Sequence, residues 1–248
     1  MTSPSPTYGR RGVVGVIDLS TCTSLIPEFA MAMPRDVGFV FSRLRLPDGV
    51  VSVPTLQAMV SSPRFEEAAL ELADAGTGVI AFACTSASLL LGPGFDRELS
   101  ERLRRATGVQ ATTTATAVIA ALRNLGARRI SVGTPYDAEI TARERAFLEA
   151  AGHQVAAIEG VGLELDREIG ALAFEDVEAL ARRVHRPGVD AVFLSCTNLP
   201  ALPVLASLER ELGCPVLSSN AATIWHCLTL LGVAPEAGGL GRLLGPPA

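Results

Sequence analysis

Residues 190–200 read DAVFLSCTNLP, an apolar run that stops at four small side chains, Ser195, Cys196, Thr197 and Asn198. A second stretch, GVIAFACTSAS at 78–88, has the same plan and sets Cys84 where the first sets Cys196. Short, continuous apolar runs of this kind suit strands buried on both faces, the signature of a parallel sheet covered by helices. GVVGVID (12–18) and RRISVG (128–133) are two more. Between them lie helical patterns. In SPRFEEAALELADAG (62–76), Pro63 suits the first turn, Phe65, Ala69 and Leu72 fall on one side, and Gly76 ends the helix. DAEITARERAFLEAAG (137–152) repeats the pattern, with Asp137 as cap and Gly152 as stop.

The repeat extends further. GVQATTTATAVIAALRNLG (108–126) matches GCPVLSSNAATIWHCLTLLG (213–232): each is a short strand, a Ser/Thr/Asn cluster and an apolar helix closed by glycine. This implies two α/β halves of common plan, facing each other across a pseudo-twofold axis. The division expected is residues 11–114 plus 220–248 for one half and 115–219 for the other. Only the tail APEAGGLGRLLGPPA is too rich in glycine and proline for regular structure.

Composition narrows the chemistry. The chain has 248 residues, 48% of them hydrophobic and 19% charged, which fits a globular α/β protein and not a disordered one. No apolar stretch approaches a membrane span, and the opening MTSPSPTYGRR has no signal-peptide core and reads as a loose tail, so a cytoplasmic location is expected. The net charge of −5 offers no electrostatic footprint for nucleic acid or an anionic membrane. All 21 basic residues are Arg, which excludes a Schiff-base lysine and the lysine of a phosphate-binding loop. Five cysteines in a reducing compartment are expected to be free thiols.

In an open parallel sheet, ligands bind beyond the carboxyl ends of the strands, where the next helix presents free N–H groups. Cys84 and Cys196 occupy such junctions, and facing halves would put the two thiols on opposite sides of one cleft. A helix N-terminus is expected to lower each thiol's pKa and make a thiolate accessible near neutral pH. The segments TSAS, TTT, TPY, CTN and SSN all fall at strand ends, where they suit a polar pocket for carboxylates. Cys22, Cys214 and Cys227 read as small buried hydrophobes. His153 and His185 sit beside turns and read as surface residues, His226 as a core histidine, and no cysteine has the spacing of a zinc site.

ACTSAS and SCTNLP resemble the paired cysteine motifs of the aspartate/glutamate racemase superfamily, and GVID before a polar loop resembles its first strand. Within it, the chain is most similar to the arylmalonate decarboxylase and maleate cis-trans isomerase group, over about residues 12 to 232. The resemblance implies an active site, free of cofactors, in the cleft between two flavodoxin-like halves. It implies Cys84 and Cys196 as catalytic residues, with Ser20, Thr21, Thr85, Ser86, Tyr136, Thr197 and Asn198 binding the substrate. The decarboxylases of the group have glycine in place of Cys84, so a pair of cysteines points to isomerase or racemase chemistry. Two departures stand out: DLSTCTS lacks an asparagine near Thr21, and ELDREIG has Asp166 where another asparagine belongs. A carboxylate there, facing the pocket, would repel a dianionic substrate. The activity expected is isomerisation of a small carboxylic or dicarboxylic acid, foremost maleate or a relative. Alternatives are an amino-acid or hydantoin racemase, an arylmalonate-type decarboxylase, and a non-catalytic protein that binds small acids. Oligomeric state is not legible, a homodimer being the commonest arrangement.

Overall fold

The computed structural model describes residues 7–245. Along the chain run β1 (Val13–Leu19), α1 (Leu25–Ala32), β2 (Gly38–Leu44), α2 (Val53–Ser61), α3 (Arg64–Asp74), β3 (Val79–Phe82), α4 (Thr85–Leu89), α5 (Phe95–Thr107) and β4 (Gln110–Thr113). After α6 (Thr114–Asn124) come β5 (Arg129–Thr134), α7 (Ala138–Ala150), β6 (Gln154–Gly160), α8 (Asp166–Gly170), α9 (Phe174–Val184), β7 (Ala191–Leu194), α10 (Leu205–Leu212), β8 (Val216–Ser218) and α11 (Ser219–Leu230).

The strands form two parallel sheets of four, ordered β2-β1-β3-β4 and β6-β5-β7-β8. The orders are identical when each strand of the first sheet is matched to its counterpart in the second. The fold is therefore two pseudo-symmetric flavodoxin-like halves, each a parallel sheet flanked by helices. In this matching β3 pairs with β7, which puts Cys84 and Cys196 at equivalent corners. It also pairs α6 with α11, whose caps, Thr113 and Ser218, accept the backbone N–H of Thr116 and Ala221. Such caps satisfy donors that the first helical turn leaves without partners.

Helix packing joins the halves. α6 and α11 lie against each other, and Thr114 Oγ1 stands 3.0 Å from Thr223 Oγ1. Further along the same seam Thr112 Oγ1 stands 2.9 Å from His226 Nδ1. A second junction lies above the sheets: Val50 bridges Leu165, and the Val51 N–H donates to the Glu164 carbonyl at 2.8 Å. A third is Glu28 on α1, whose buried carboxylate accepts the Leu202 N–H at 2.9 Å and the Asn220 amide at 2.7 Å. Burial pushes that carboxyl up to about 7.

Local expectations are met at most elements. Phe65, Ala69 and Leu72 are buried on α3, with Ala68 beside them. The Asp137 side chain accepts the Ile140 N–H at 2.8 Å, and Gly76 and Gly152 adopt the left-handed conformations that close α3 and α7. The glycine-rich tail from Ala234 to Gly245 forms no helix or strand. The loose opening falls largely on residues 1–6, outside the described residues. His153 departs from expectation: it is buried, its Nδ1 2.9 Å from the Ala127 carbonyl oxygen. The turn that carries it folds back onto the start of β5, so a position next to a glycine is covered. His185 is half-buried.

One backbone feature concerns the second corner. Cys196 has φ 100, and besides Asp48 it is the sole non-glycine residue with positive φ among those described. Holding an L-residue there costs about 1–3 kcal/mol. Glycine would adopt it without strain, so Cys196→Gly should be more stable than Cys196→Ala by about 1 kcal/mol, against the usual order of the two residues. Paired thermal melts should show the glycine variant about 3 °C higher; equal or reversed midpoints would mean the corner is not strained.

Candidate active site

Both corners are built the same way: an apolar strand runs out of the sheet, and small polar residues turn the chain away from it. Cys84 lies just past β3 as the N-cap of α4, in extended conformation at φ −147, with its sulfur 3.7 Å from Ser86 Oγ. Cys196 comes after β7 and Ser195. Its N–H donates to Ser219 Oγ at 3.0 Å, and its sulfur accepts the Asn198 N–H at 3.3 Å. Both cysteines are buried, at 3% and 4% exposure.

Hydrogen bonds cross from one corner to the other. Thr85 Oγ1 donates to Ser219 Oγ at 2.8 Å, so a single serine hydroxyl links the residue after Cys84 to the backbone of Cys196. In the opposite direction, Thr197 Oγ1 donates to the carbonyl of Ala83 at 3.2 Å. Tyr136, on the turn after β5, is buried with its phenol beside the Cys196 sulfur; burial first, and then charge on Cys196, raises the phenol's pKa. Two thiols and a phenol thus meet in one water-poor space.

The electrostatics reverse one expectation. Burial pushes the Cys84 thiol up to about 12, outweighing the lowering by the Ala87 N–H and the Ser86 hydroxyl. Cys196 is pushed up as well, by burial first and then by the Asp166 charge, against the lowering by Tyr136 and the Asn198 N–H. α4 spans only five residues and its end cannot offset the loss of water around the sulfur. Burial thus favours the neutral thiol at both positions.

Three buried acids stand around them. Asp18, at the end of β1, is fully buried; Leu19 N–H donates to Oδ1 at 2.7 Å, and Oδ2 has no hydrogen-bond partner among the described residues. Burial pushes it up to about 7 despite Arg43, whose Nη2 lies 3.8 Å away. Asp166, at 2% exposure, accepts Thr21 Oγ1–H at 2.5 Å on Oδ2, and burial raises its pKa too. Glu144 on α7 reaches in from behind, next to Ser195 and Thr134, and is likewise pushed up to about 7 by burial.

The residues expected at the site divide into groups. Cys84, Thr85, Ser86, Tyr136, Cys196 and Thr197 are buried together. Asn198 is there as well, but its carboxamide is committed to the protein: Oδ1 accepts the N–H of Thr23 at 2.8 Å and of Ser24 at 3.3 Å, and Nδ2 donates to the Asp166 carbonyl at 2.7 Å. α8 comes so close that a Cβ on Gly170 would lie 2.8 Å from Asn198 Oδ1. Thr21 is turned towards Asp166. Ser20 is not brought in: it is exposed, and its hydroxyl accepts the Leu46 N–H at 3.1 Å. Asp18 and Glu144 escaped the sequence reading; Ser219 lies in the SSN cluster expected to line a polar pocket, as the counterpart of Thr114 in the repeat. Cys22 is buried as expected, yet it lies at this site, with its sulfur 3.7 Å from the Thr197 carbonyl oxygen.

Comparison with known proteins shows the family. The family model described as arylmalonate decarboxylase matches residues 25–244. A maleate isomerase of Nocardia farcinica is 32% identical over 93% of this chain and 94% of its own. An arylmalonate decarboxylase of Bordetella bronchiseptica is 31% identical over 93% and 95%. A solved structure of a Nocardia farcinica maleate cis-trans isomerase, a cysteine-to-serine variant with a covalently bound succinylcysteine intermediate, superposes with a TM-score of 0.88 at 29% identity, covering 94% of this chain and 98% of that one. With two thiol corners in matching halves and a family model spanning most of its length, the chain belongs to the arylmalonate decarboxylase family, whose members include maleate isomerases.

Proposed function

We propose that the protein is a cofactor-independent cis-trans isomerase of a small unsaturated acid, maleate or a close relative, with Cys84 and Cys196 as its catalytic pair. The observation that carries this reading is the meeting of two thiols, from equivalent corners of a duplicated fold, beside one buried tyrosine. The succinylcysteine in the Nocardia relative supports sulfur addition to a double bond as the covalent step.

The Cys84 thiolate adds to one alkene carbon, and the π pair moves to the neighbouring carbon, where the adjoining carboxylate spreads the charge. The Cys196 thiol protonates that carbon. The former double bond is now single and rotates. Cys196 then takes a proton back, the double bond reforms in the trans arrangement, and the Cys84 thiolate leaves. Donors fixed before the reaction stabilise the developing charge without reorganising, an effect of several kcal/mol. Thr85, Ser86, Thr197 and Tyr136 are the groups placed to supply it. Ser20 and Asn198, engaged elsewhere, act at most through the loops they hold. Burial favours the neutral thiol, so Cys84 gives up its proton to solvent before its sulfur adds to the substrate.

Incubation with maleate in deuterated water tests the reaction. Fumarate should accumulate, and Cys84→Ala and Cys196→Ala should each lower kcat by about four orders of magnitude with the fold intact by circular dichroism. Exchange at the α-carbon of an amino acid, without fumarate, would instead make the protein a racemase, and carbon dioxide from a disubstituted malonate a decarboxylase.

Burial also sets the pH dependence. A thiol raised to about 12 loses its proton only as the pH climbs, so kcat/KM should rise with pH from about 7 to 9, by up to about tenfold per unit. A plateau below about pH 8 would show that the thiol is activated in the free protein.

A further inference from the structure

The bonds that hold the second corner continue beyond it. Asn220, in the first turn of α11 and fully buried, donates through Nδ2 to two acceptors at once, Glu28 Oε2 at 2.7 Å and the Thr197 carbonyl at 2.9 Å. Its Oδ1 has no hydrogen-bond partner among the described residues. Glu28, on α1, is buried and accepts on both oxygens, with Oε1 taking the Leu202 N–H at 2.9 Å. Only a donor fits between a carboxylate oxygen and a carbonyl oxygen, so the acid on α1 fixes which way round the Asn220 amide faces.

What the amide reaches is the strained corner. Thr197 follows Cys196, whose backbone has φ 100. Such a conformation persists only where its surroundings over-determine it. Here Ser219 Oγ accepts the Cys196 N–H, the Ala83 carbonyl accepts the Thr197 hydroxyl, and Asn220 donates to the Thr197 carbonyl. The duplication supplies a control. Matching α6 to α11 makes Ala115 the counterpart of Asn220, so the first half has a methyl group where the second has the amide. Its corner, Cys84, lies in extended backbone at φ −147 and needs no such hold. The amide accompanies the strained thiol and is absent at the relaxed one.

We propose that Glu28 is a positioning residue for Cys196: it orients the Asn220 amide, and through the Thr197 carbonyl that amide keeps the thiol's backbone in its positive-φ conformation. The use made of the Cys196 proton rests on the isomerase reading above; the hold on its backbone does not. Replacing the acid by its amide, Glu28→Gln, keeps an acceptor for the Leu202 N–H but sets an NH2 group against Asn220 Nδ2. Asn220 then turns over to accept with Oδ1, and the Thr197 carbonyl loses its donor.

Two readouts test it. Residue-resolved alkylation with iodoacetamide follows the local opening of each buried thiol. In Glu28→Gln, Cys196 should react at least about fivefold faster than in the unaltered protein, with Cys214 and Cys227 unchanged. Turnover of maleate should show kcat lowered about tenfold or more and KM within about twofold, since a misplaced group costs rate while the substrate still binds. Asn220→Ala should reproduce both effects, and adding Glu28→Gln to it should change neither further, because one residue acts through the other. Where Glu28→Gln does not fold by circular dichroism, Glu28→Asp, which keeps the charge and falls short of Asn220, carries the same expectation. An unchanged rate at Cys196, a rise shared by all three thiols, or losses that multiply in the double variant would overturn the assignment. Selective opening of Cys196 in a protein that leaves maleate untouched would overturn the isomerase reading and leave the role of Glu28 standing.

Discussion

One side chain ties loops of both halves together at the site. Asn198, two residues past Cys196, accepts from the N–H groups of Thr23 and Ser24 in the loop after β1 and donates to the Asp166 carbonyl at the start of α8. Ser24 returns a bond, its hydroxyl donating to the Asn198 carbonyl at 2.8 Å. Loops from both halves are thereby tied to the strand end that carries the second thiol. A buried amide with its groups satisfied stiffens what it touches, whereas a half-satisfied one is costly. The placement of Asp166 and of the loop after β1 beside the buried sulfurs runs through this node.

Burial has two consequences that pull apart. It raises both thiols above their ordinary pKa and so favours their neutral forms. The same low dielectric strengthens every charge interaction once a thiolate exists. A site of this kind gains its reactivity from donors aligned on the substrate and not from a standing thiolate. That explains why the polar residues at the strand ends are hydroxyls. Hydroxyls can donate to a developing carboxylate charge and otherwise satisfy one another, as Thr85 and Ser219 do.

How much of this was legible in the sequence depends on where each residue is buried. β1, β3 and β7 lie in the sheet centres and are buried throughout, so β3 and β7 read as unbroken apolar runs and β1 as one interrupted only near its end by Asp18. β2 and β6 are edge strands; Gly38–Leu44 carries Ser42 and Arg43, and Gln154–Gly160 alternates between cover and exposure. Neither has the continuous run that marks a buried strand. The duplicated Cys-Thr motif exposed the two corners because equivalent local geometry demands similar residues. Asp18 and Glu144 have no such partner. Their role comes from contacts made across the fold, with Arg43 for one and Ser195 for the other, and a single acid in a strand or helix carries no trace of those contacts.

The two corners are equivalent in topology but not in chemistry, and the difference bears on what they can do. Cys84 sits in relaxed extended backbone and leads directly into α4. Cys196 is held at φ 100 with its N–H bonded to a serine at the start of α11, and two further donors, Tyr136 and the Asn198 N–H, favour its anionic form. Charge on Asp166 raises the pKa of both sulfurs, after burial. A reaction in which the two thiols exchange equal duties gains nothing from such asymmetry. Addition and elimination does, since one sulfur must bond to carbon and depart while the other keeps a proton ready. A sulfur fixed by strained backbone between two donors is better suited to hold its position than to travel with a rotating adduct.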